Sequence, residues 1–120
     1  MLESYRDLKV WQKAIDMVVD CYKLSQDFPK HEIYGLTSQL RRAAVSVPAN
    51  IAEGYGLGSR KEYLQFLAIA QGSLKEVETH LIITQRLEYM TQTQLKTILA
   101  RTEELGKMLG SLIRTLKDKI

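Results

Sequence analysis

The sequence predicts an all-α fold, an antiparallel up-down-up-down four-helix bundle that occupies residues 1–120 as a single domain. Four stretches repeat apolar residues at three- and four-residue steps, the period of a helix with one buried face. The connectors between them are short, which makes consecutive helices antiparallel neighbours. No stretch alternates like a strand, and a chain of 120 residues with 45% hydrophobic residues can bury its own core.

The first helix is predicted over about residues 7–28. Asp7 can cap its free amide groups, and the helix should stop at Phe28 because Pro29 disfavours helical geometry in the preceding residue. The predicted core face consists of Leu8, Trp11, Ile15, Val18, Tyr22 and Ser25.

The second helix is predicted over about residues 36–53 and should end where Gly54, Gly56 and Gly58 follow. Pro48 lies inside it, and an interior proline removes one hydrogen bond at a cost of about 3 kcal/mol. We therefore expect a kink within one continuous helix. The predicted core face consists of Leu36, Leu40, Ala43, Val47 and Ile51.

The third helix is predicted over about residues 59–88. Ser59 and Glu62 have the spacing of a capping box, in which each side chain bonds the backbone amide of the other residue. The predicted core face consists of Tyr63, Leu67, Ala70, Leu74, Val77, Leu81 and Thr84.

The fourth helix is predicted over about residues 91–119, and Thr91 with Gln94 forms a second capping box. Gly106 and Gly110 either permit the close approach of another helix or are tolerated surface glycines, each costing about 1 kcal/mol relative to alanine. The sequence leaves both interpretations open. The predicted core face consists of Leu95, Ile98, Thr102, Leu105, Leu109, Leu112 and Leu116.

Composition limits the environment and the partners. The single cysteine, Cys21, excludes an intramolecular disulfide, and no amino-terminal stretch resembles a secretory signal. The apolar runs are shorter than the roughly 20 residues that span a bilayer. We therefore expect a cytoplasmic protein without a membrane partner, and the formal charge of +3 with a pI near 9.0 favours anionic partners.

The sequence has few side chains of the types that catalyse reactions or bind metals, so it predicts no enzyme, no metal site and no cofactor. Besides Cys21 there are two histidines, His31 and His80, and His80 has Glu76 four residues before it. Two ligands do not make a metal site, and no nucleophile with a base assembles from these residues. We interpret Glu76 and His80 as a structural or solvated pair.

A polar seam runs along the second helix, which is otherwise rich in alanine and valine. Arg42, Ser46, Asn50 and Glu53 follow one another at three- or four-residue steps. A helix this apolar should be covered, so the seam is predicted to be buried inside the bundle or between subunits. The alternative is an ordinary solvated face.

Basic residues occur together with tyrosines, a combination that can hold phosphates and stack bases. Arg60 and Lys61 also begin the third helix, whose free amides attract anions. Arg41 lies earlier in the second helix, so the sequence does not predict one continuous groove. The candidates for nucleic-acid binding are Lys30, Arg41, Arg42, Arg60, Lys61 and Tyr55.

Several motifs along the chain are characteristic in combination. They are Phe28-Pro29-Lys30, Tyr34-Gly35-Leu36, Gln39 to Ala44, Val47 to Gly54, Ser59 to Phe66, Tyr5 to Trp11 and Gly72 to Glu76. Together they resemble the four-helix-bundle proteins encoded in intervening sequences of bacterial 23S ribosomal RNA genes. The resemblance covers nearly the whole chain.

The resemblance implies a bundle that assembles into a ring-like homopentamer and has no catalytic residues. It also implies a more distant similarity to the accessory variability proteins of diversity-generating retroelements, which work with a reverse transcriptase and RNA. Our first hypothesis is a homo-oligomer that binds RNA or DNA, with RNA favoured, through repeated basic patches. The alternative is a protein-interaction scaffold with no nucleic-acid ligand.

Overall fold

The computed structural model describes residues 3–119, which form four long helices in the predicted order. The helices are α1 (Lys9–Ser25), α2 (Leu36–Gly56), α3 (Arg60–Arg86) and α4 (Gln92–Lys117). Two short 3-10 turns, Tyr5–Asp7 and Lys30–Glu32, precede α1 and α2. No strand occurs within residues 3–119.

Each helix packs against the next helix of the chain, and α4 closes the bundle by packing on α1. Consequently α1 and α3 lie diagonally opposite, as do α2 and α4. The most extensive packing joins α2 and α3, and the molecule measures 47 × 24 × 21 Å. The predicted all-α four-helix bundle is confirmed.

The core confirms the apolar stripes that the sequence predicts for the last three helices. Burying one large aliphatic side chain stabilises a fold by about 1.5–3 kcal/mol relative to leaving it exposed. The largest fully buried side chains on these stripes are Leu40, Val47, Ile51, Leu67, Leu74, Val77, Leu81, Thr84, Thr102, Leu105 and Leu109.

The core face predicted for α1 is confirmed at Leu8 and Ser25, which are buried, and is wrong at Ile15 and Tyr22. The buried residues of α1 are Val10, Ala14, Met17, Cys21 and Ser25, whereas Ile15 and Tyr22 are exposed. The apolar arc of α1 is wider than one helix face, and the inner part of that arc carries the small side chains of Ala14 and Cys21. As a result, the larger residues Ile15, Val19 and Tyr22 lie on the outer surface.

Both ends of α1 also differ from the prediction. The Asp7 carboxylate accepts hydrogen bonds from the amides of Glu3 and Ser4 at 3.0 and 3.2 Å, so it caps the preceding 3-10 turn. Helix α1 itself begins at Lys9 without a side-chain cap and ends at Ser25. The turn after Ser25 places Phe28 in the core, where it is 6% exposed.

The glycines at the end of α2 do not act as one helix stop. Helix α2 passes through Pro48 and continues beyond Glu53 to Gly56. Gly54 is buried, and a Cβ at this position would lie 2.7 Å from the Cβ of Phe66 on α3. Gly54 therefore permits close contact between the two helices, and the chain turns at Gly58, whose φ of +82° favours glycine.

The helix starts confirm one capping box and half of the other. At α4 the Gln94 amide donates to Thr91 Oγ1 at 3.1 Å, and the Thr91 amide donates to Gln94 Oε1 at 2.9 Å. At α3 the Glu62 amide donates to Ser59 Oγ at 3.1 Å. The Glu62 carboxylate accepts from the Ser59 hydroxyl at 3.0 Å and not from the backbone amide that a reciprocal box requires.

Candidate functional site

The basic residues selected from the sequence lie at different places on the bundle. Lys30 belongs to the connector before α2, which meets the connector before α4 because Tyr89 donates to Glu32 Oε2 at 2.9 Å. Arg60 and Lys61 begin α3, at the opposite end of an antiparallel bundle 47 Å long. These residues cannot contact the same phosphate group within one chain.

Arg41 has a structural position between α1 and α2. Its Nε donates to Ser25 Oγ at 2.8 Å, and its guanidinium carbon lies 4.6 Å from the centre of the Tyr22 ring. Such cation–π contacts contribute about 0.5–2 kcal/mol. The adjacent Arg42 is exposed and forms no ion pair with any residue from 3 to 119. The two arginines, both predicted as candidates for nucleic-acid binding, therefore have different surroundings.

The aromatic candidate Tyr55 packs against another tyrosine. Its ring meets the ring of Tyr63 edge to face, with centroids 5.8 Å apart, and burial raises the pKa of the Tyr63 hydroxyl. The ring of Tyr55 is therefore partly occupied by intrachain packing. In contrast, Tyr34 in the connector before α2 is 94% exposed and could stack on a base.

The structure brings together two features that the sequence presents separately. Residues of the polar seam on α2 and the Glu76–His80 pair on α3 line one groove of about 410 Å³. Ser46 Oγ and Ser73 Oγ lie 2.8 Å apart, and the Asn50 amide donates to the Ser46 carbonyl and hydroxyl at 2.7 and 2.9 Å. The polar groove consists of Gln39, Arg42, Ser46, Ser73, Glu76 and His80.

The polar groove is partly open in the single chain, so the seam is not fully buried inside the bundle, and its burial between subunits stays a prediction. Arg42 and Glu53 are exposed, while Ser46 and Asn50 are partly buried. Glu53 does not line the groove. His80 Nδ1 is buried and has no hydrogen-bond partner within the described chain. The groove therefore has a buried nitrogen without a hydrogen-bond partner in the described chain, next to the hydrogen-bonded side chains of Ser46 and Ser73.

The chemistry available in the described residues is limited. Between residues 3 and 119, no group of three or more His, Cys, Asp and Glu residues could hold a metal ion. Burial, and to a lesser extent the charge of Asp20, raises the pKa of the Cys21 thiol to about 12. A thiol with this pKa stays protonated at neutral pH and is a poor nucleophile. None of the helices in the described range is both long and apolar enough to cross a bilayer.

Exposed apolar side chains distinguish the first three helices from α4. Val45 on α2 and Ile69 on α3 are 43% and 45% exposed, and α1 adds three more such residues. Within the described chain, α4 exposes no large hydrophobic side chain. Large exposed apolar patches commonly mark interaction surfaces. The full set is Ile15, Val19, Tyr22, Ile33, Tyr34, Val45, Leu57, Ile69, Ile82, Ile83 and Leu87.

Positive charge is concentrated on α4, a helix without any of the basic residues predicted from the sequence to bind nucleic acid. This helix has five Lys or Arg residues and two Glu residues, so it accounts for the formal charge of +3 of the whole chain. Arg101 pairs with Asp20, and Lys13 lies 3.7 Å from Glu104. Lys96, Lys107 and Arg114 are 11 and 7 residues apart, which is close to three and two helical turns, so they share another face of the helix. Counting the basic residues on each face of a predicted helix would have identified these three residues, whereas looking for basic residues adjacent in sequence does not.

Comparisons with known proteins agree with the fold. The sequence model described as "23S rRNA-intervening sequence protein" matches residues 6–111. A crystal structure of a protein with unknown function from the S23 ribosomal protein family of Bacteroides thetaiotaomicron VPI-5482 is similar, with 29% identity and a TM-score of 0.78. That similarity covers 87% of this chain and 97% of the other. No curated protein matches the sequence.

Proposed function

Because the chain belongs to the 23S rRNA-intervening sequence protein family, we propose that it is a non-catalytic, self-associating bundle that binds nucleic acid, with RNA favoured. The observation that carries this proposal is the separation of two surface properties. Large exposed apolar side chains lie on α1, α2, α3 and their connectors, whereas α4 has the excess positive charge. The first three helices suit contacts between copies, and α4 suits an anionic ligand.

Self-association is supported by the apolar side of the bundle. Ile15 and Tyr22 on α1, Val45 on α2, and Ile69 and Ile83 on α3 are all exposed in the single chain. Removing apolar surface from water contributes about 25 cal/mol per Å² buried. Contacts between two different faces of a subunit generate closed rings when the rotation closes. A ring-like homopentamer, which the family resemblance implies, is the assembly we propose.

Nucleic-acid binding is supported by the position of the charge. Since α4 lacks large exposed apolar residues, it would remain in solvent when the exposed apolar side chains of the other three helices are covered. Each copy then contributes the same modest basic surface, and repeated weak phosphate contacts add up through avidity. The family description refers to an intervening sequence of 23S rRNA, which makes RNA the first ligand to test.

The non-catalytic part of the proposal rests on the state of the reactive groups. Cys21 is buried, and its thiol has a pKa of about 12. Glu76 and His80 line a groove with the hydroxyl groups of Ser46 and Ser73 and the amide of Gln39. The Ser46 hydroxyl bonds to Ser73 and Asn50 and has no bond to His80. These contacts hold the helices together and do not activate a hydroxyl for attack.

A salt-dependent RNA titration tests this function, with the oligomer mass measured by light scattering on the same sample. We expect a dissociation constant below about 1 µM at physiological salt and an affinity that falls steeply as salt increases. An oligomer of constant mass that does not bind RNA at low salt would overturn the nucleic-acid part of the proposal. A monomer that binds RNA would overturn the self-association part.

The second candidate function is a protein-interaction scaffold with no nucleic-acid ligand. It is favoured by the polar groove, where Arg42 forms no ion pair within residues 3–119 and His80 Nδ1 has no partner there. A protein partner could pair with the exposed Arg42, and the resemblance to accessory variability proteins, which work with a reverse transcriptase, suggests a reverse transcriptase as one such partner. This function predicts that Arg42→Gln weakens the association with the protein partner. It also predicts that neither the wild-type protein nor the variant binds RNA.

A further inference from the structure

We infer that the groove between α3 and α4 holds the phosphodiester backbone of a nucleic-acid strand, an inference that rests on the nucleic-acid binding proposed above. The groove has a volume of about 660 Å³. Lys75 and Gln71 line its α3 wall, and Lys107 and Arg114 line its α4 wall. We call it the α3/α4 groove. It is separate from the polar groove between α2 and α3 and from the basic residues selected by sequence.

The α3/α4 groove has an excess of positive charge. Three cationic side chains and one carboxylate, that of Glu103, line it. Lys107 and Arg114 form no ion pair within residues 3–119, whereas Lys75 donates to Glu78 at 3.2 Å. Two cations are therefore available to phosphates without breaking an internal contact. The groove also lies beside α4, the helix that exposes no large apolar residue and would stay in solvent after self-association.

The glycines of the groove have no packing role within the chain. Gly72, Gly106 and Gly110 lie inside helices, where glycine costs about 1 kcal/mol relative to alanine. A Cβ at Gly72 would meet nothing within 4 Å, and one at Gly106 would lie 3.6 Å from Leu74, an ordinary contact. The bundle could therefore accommodate alanine at both positions. Glycine instead keeps the groove open, so that a ligand backbone can approach the helices closely.

The lining of the groove favours a phosphate backbone over other occupants. Its lysines, arginine and Gln71 amide are hydrogen-bond donors, while no aromatic side chain lines it to stack a base. A helix of a partner protein would need a continuous apolar groove, whereas the apolar lining here is limited to Ala68, the buried Leu74 and three glycines, with charged side chains on both walls. Hydrogen bonds from lysine, arginine and amide groups to phosphate oxygens depend little on base sequence.

Charge removal in the groove gives the first test. Binding of a fluorescein-labelled oligouridine of about 20 nucleotides is measured by anisotropy over a range of salt concentrations. For Lys107→Gln with Arg114→Gln we expect affinity to fall about tenfold, and the salt slope to fall by about 0.7 for each lost phosphate contact. The matched control, Arg60→Gln with Lys61→Gln, makes the same charge change at the end of the bundle and should alter affinity by less than about twofold.

Closing the groove without changing its charge gives the second test. Gly72→Ala with Gly106→Ala should raise the thermal unfolding temperature, because both positions are helical and have room for a Cβ. The same variant should bind the oligouridine several-fold more weakly. A loss of affinity in a more stable protein cannot be attributed to unfolding.

The possible results separate this inference from the proposed function. If the wild-type oligomer does not bind oligouridine, both are overturned. If the Arg60 and Lys61 variant loses affinity while the Lys107 and Arg114 variant keeps it, nucleic-acid binding stands and the α3/α4 groove is overturned as its site. If the glycine variant changes the oligomer mass and not RNA affinity, the groove packs against another helix, which also overturns the inference.

Discussion

Ser46 on α2 and Ser73 on α3 form a hydrogen bond between helices, with their hydroxyl oxygens 2.8 Å apart. The Asn50 amide donates to the Ser46 hydroxyl at 2.9 Å, so one small polar network joins the two helices that pack most extensively. Ser73 itself is buried. Part of the polar seam predicted from the sequence therefore stabilises the single chain, whatever covers its exposed end.

We expect Ser46→Ala and Ser73→Ala to have non-additive effects on stability. Each single change leaves the remaining hydroxyl short of a partner and should lower the free energy of unfolding by about 1 kcal/mol. The double variant removes both groups, so its loss should be smaller than the sum of the single losses. Urea unfolding of all four proteins measures the coupling. Additive losses would mean that the two hydroxyls do not interact in solution.

Gly54 should be far less tolerant of substitution than Gly56, although both lie at the end of α2. In Gly54→Ala the new Cβ would meet Phe66 Cβ at 2.7 Å, which should lower the free energy of unfolding by about 1–3 kcal/mol. In the control, Gly56→Ala, the Cβ meets nothing within 4 Å and should be neutral or stabilising by up to about 1 kcal/mol. Chemical denaturation distinguishes them, and equal effects would contradict the close helix contact.

Arg41 and Arg42 should separate into a structural residue and a surface residue. Arg41→Gln removes the contact with the Tyr22 ring and the bond to Ser25, so it should cost about 1–2 kcal/mol of stability. Arg42→Gln removes an exposed side chain without an ion pair in the described chain and should change stability by less than about 0.5 kcal/mol. Thermal unfolding of the two variants provides the comparison. A larger loss for Arg42→Gln would reverse these assignments.

The Cys21 thiol should make the protein less stable at alkaline pH. Its pKa is about 12 in the folded chain and 9.0 for an ordinary thiol, so between these values the unfolded chain releases a proton that the folded chain keeps. Because the unfolded state then binds fewer protons, the free energy of unfolding falls by up to about 1.4 kcal/mol per pH unit. Below about pH 9 this contribution to stability is constant.

Cys21→Ala provides the control for this pH dependence. The variant should be less stable at neutral pH because it leaves a small cavity, yet its stability should fall less steeply between about pH 9 and about pH 11. Urea unfolding at a series of pH values measures both slopes, and other alkaline groups affect the two proteins equally. Parallel curves would show that the thiol ionises as readily in the folded chain as in the unfolded one.

The sequence predicts the four-helix arrangement because each stripe has only one way to become buried. The stripes predicted for α2, α3 and α4 contain buried residues such as Leu40, Leu74 and Leu105. Helix α1 has a broader apolar arc, and the choice between Tyr22 and Cys21 as a core residue depends on how closely its neighbours pack. The same limit applies to Gly54, whose contact with Phe66 is a property of two helices together.

The candidate site is less predictable because it depends on distances between helices. Sequence spacing links Arg42 with Ser46, and separately Glu76 with His80, but it does not place the four in one groove. Likewise, Arg60 and Lys61 are predicted because they are adjacent, whereas Lys96, Lys107 and Arg114, which share one face of α4, are seven or more positions apart. Patterns within one helix are therefore informative, and relationships between helices require the structure.

Charge introduced on the apolar side should dissociate the oligomer. Val45→Arg with Ile69→Arg places two cations on side chains that are 43% and 45% exposed in the single chain and would be buried by a second copy. Burying an unpaired charge costs several kcal/mol, so the assembly should dissociate to monomers while the bundle stays folded.

Ala100→Arg is the matched control, since Ala100 is exposed on α4 and should remain in solvent. Light scattering gives the mass, and circular dichroism gives the helix content. If Ala100→Arg dissociates the oligomer and the apolar-side variant does not, the contacts between copies involve α4, and the assignment of the two sides must be exchanged.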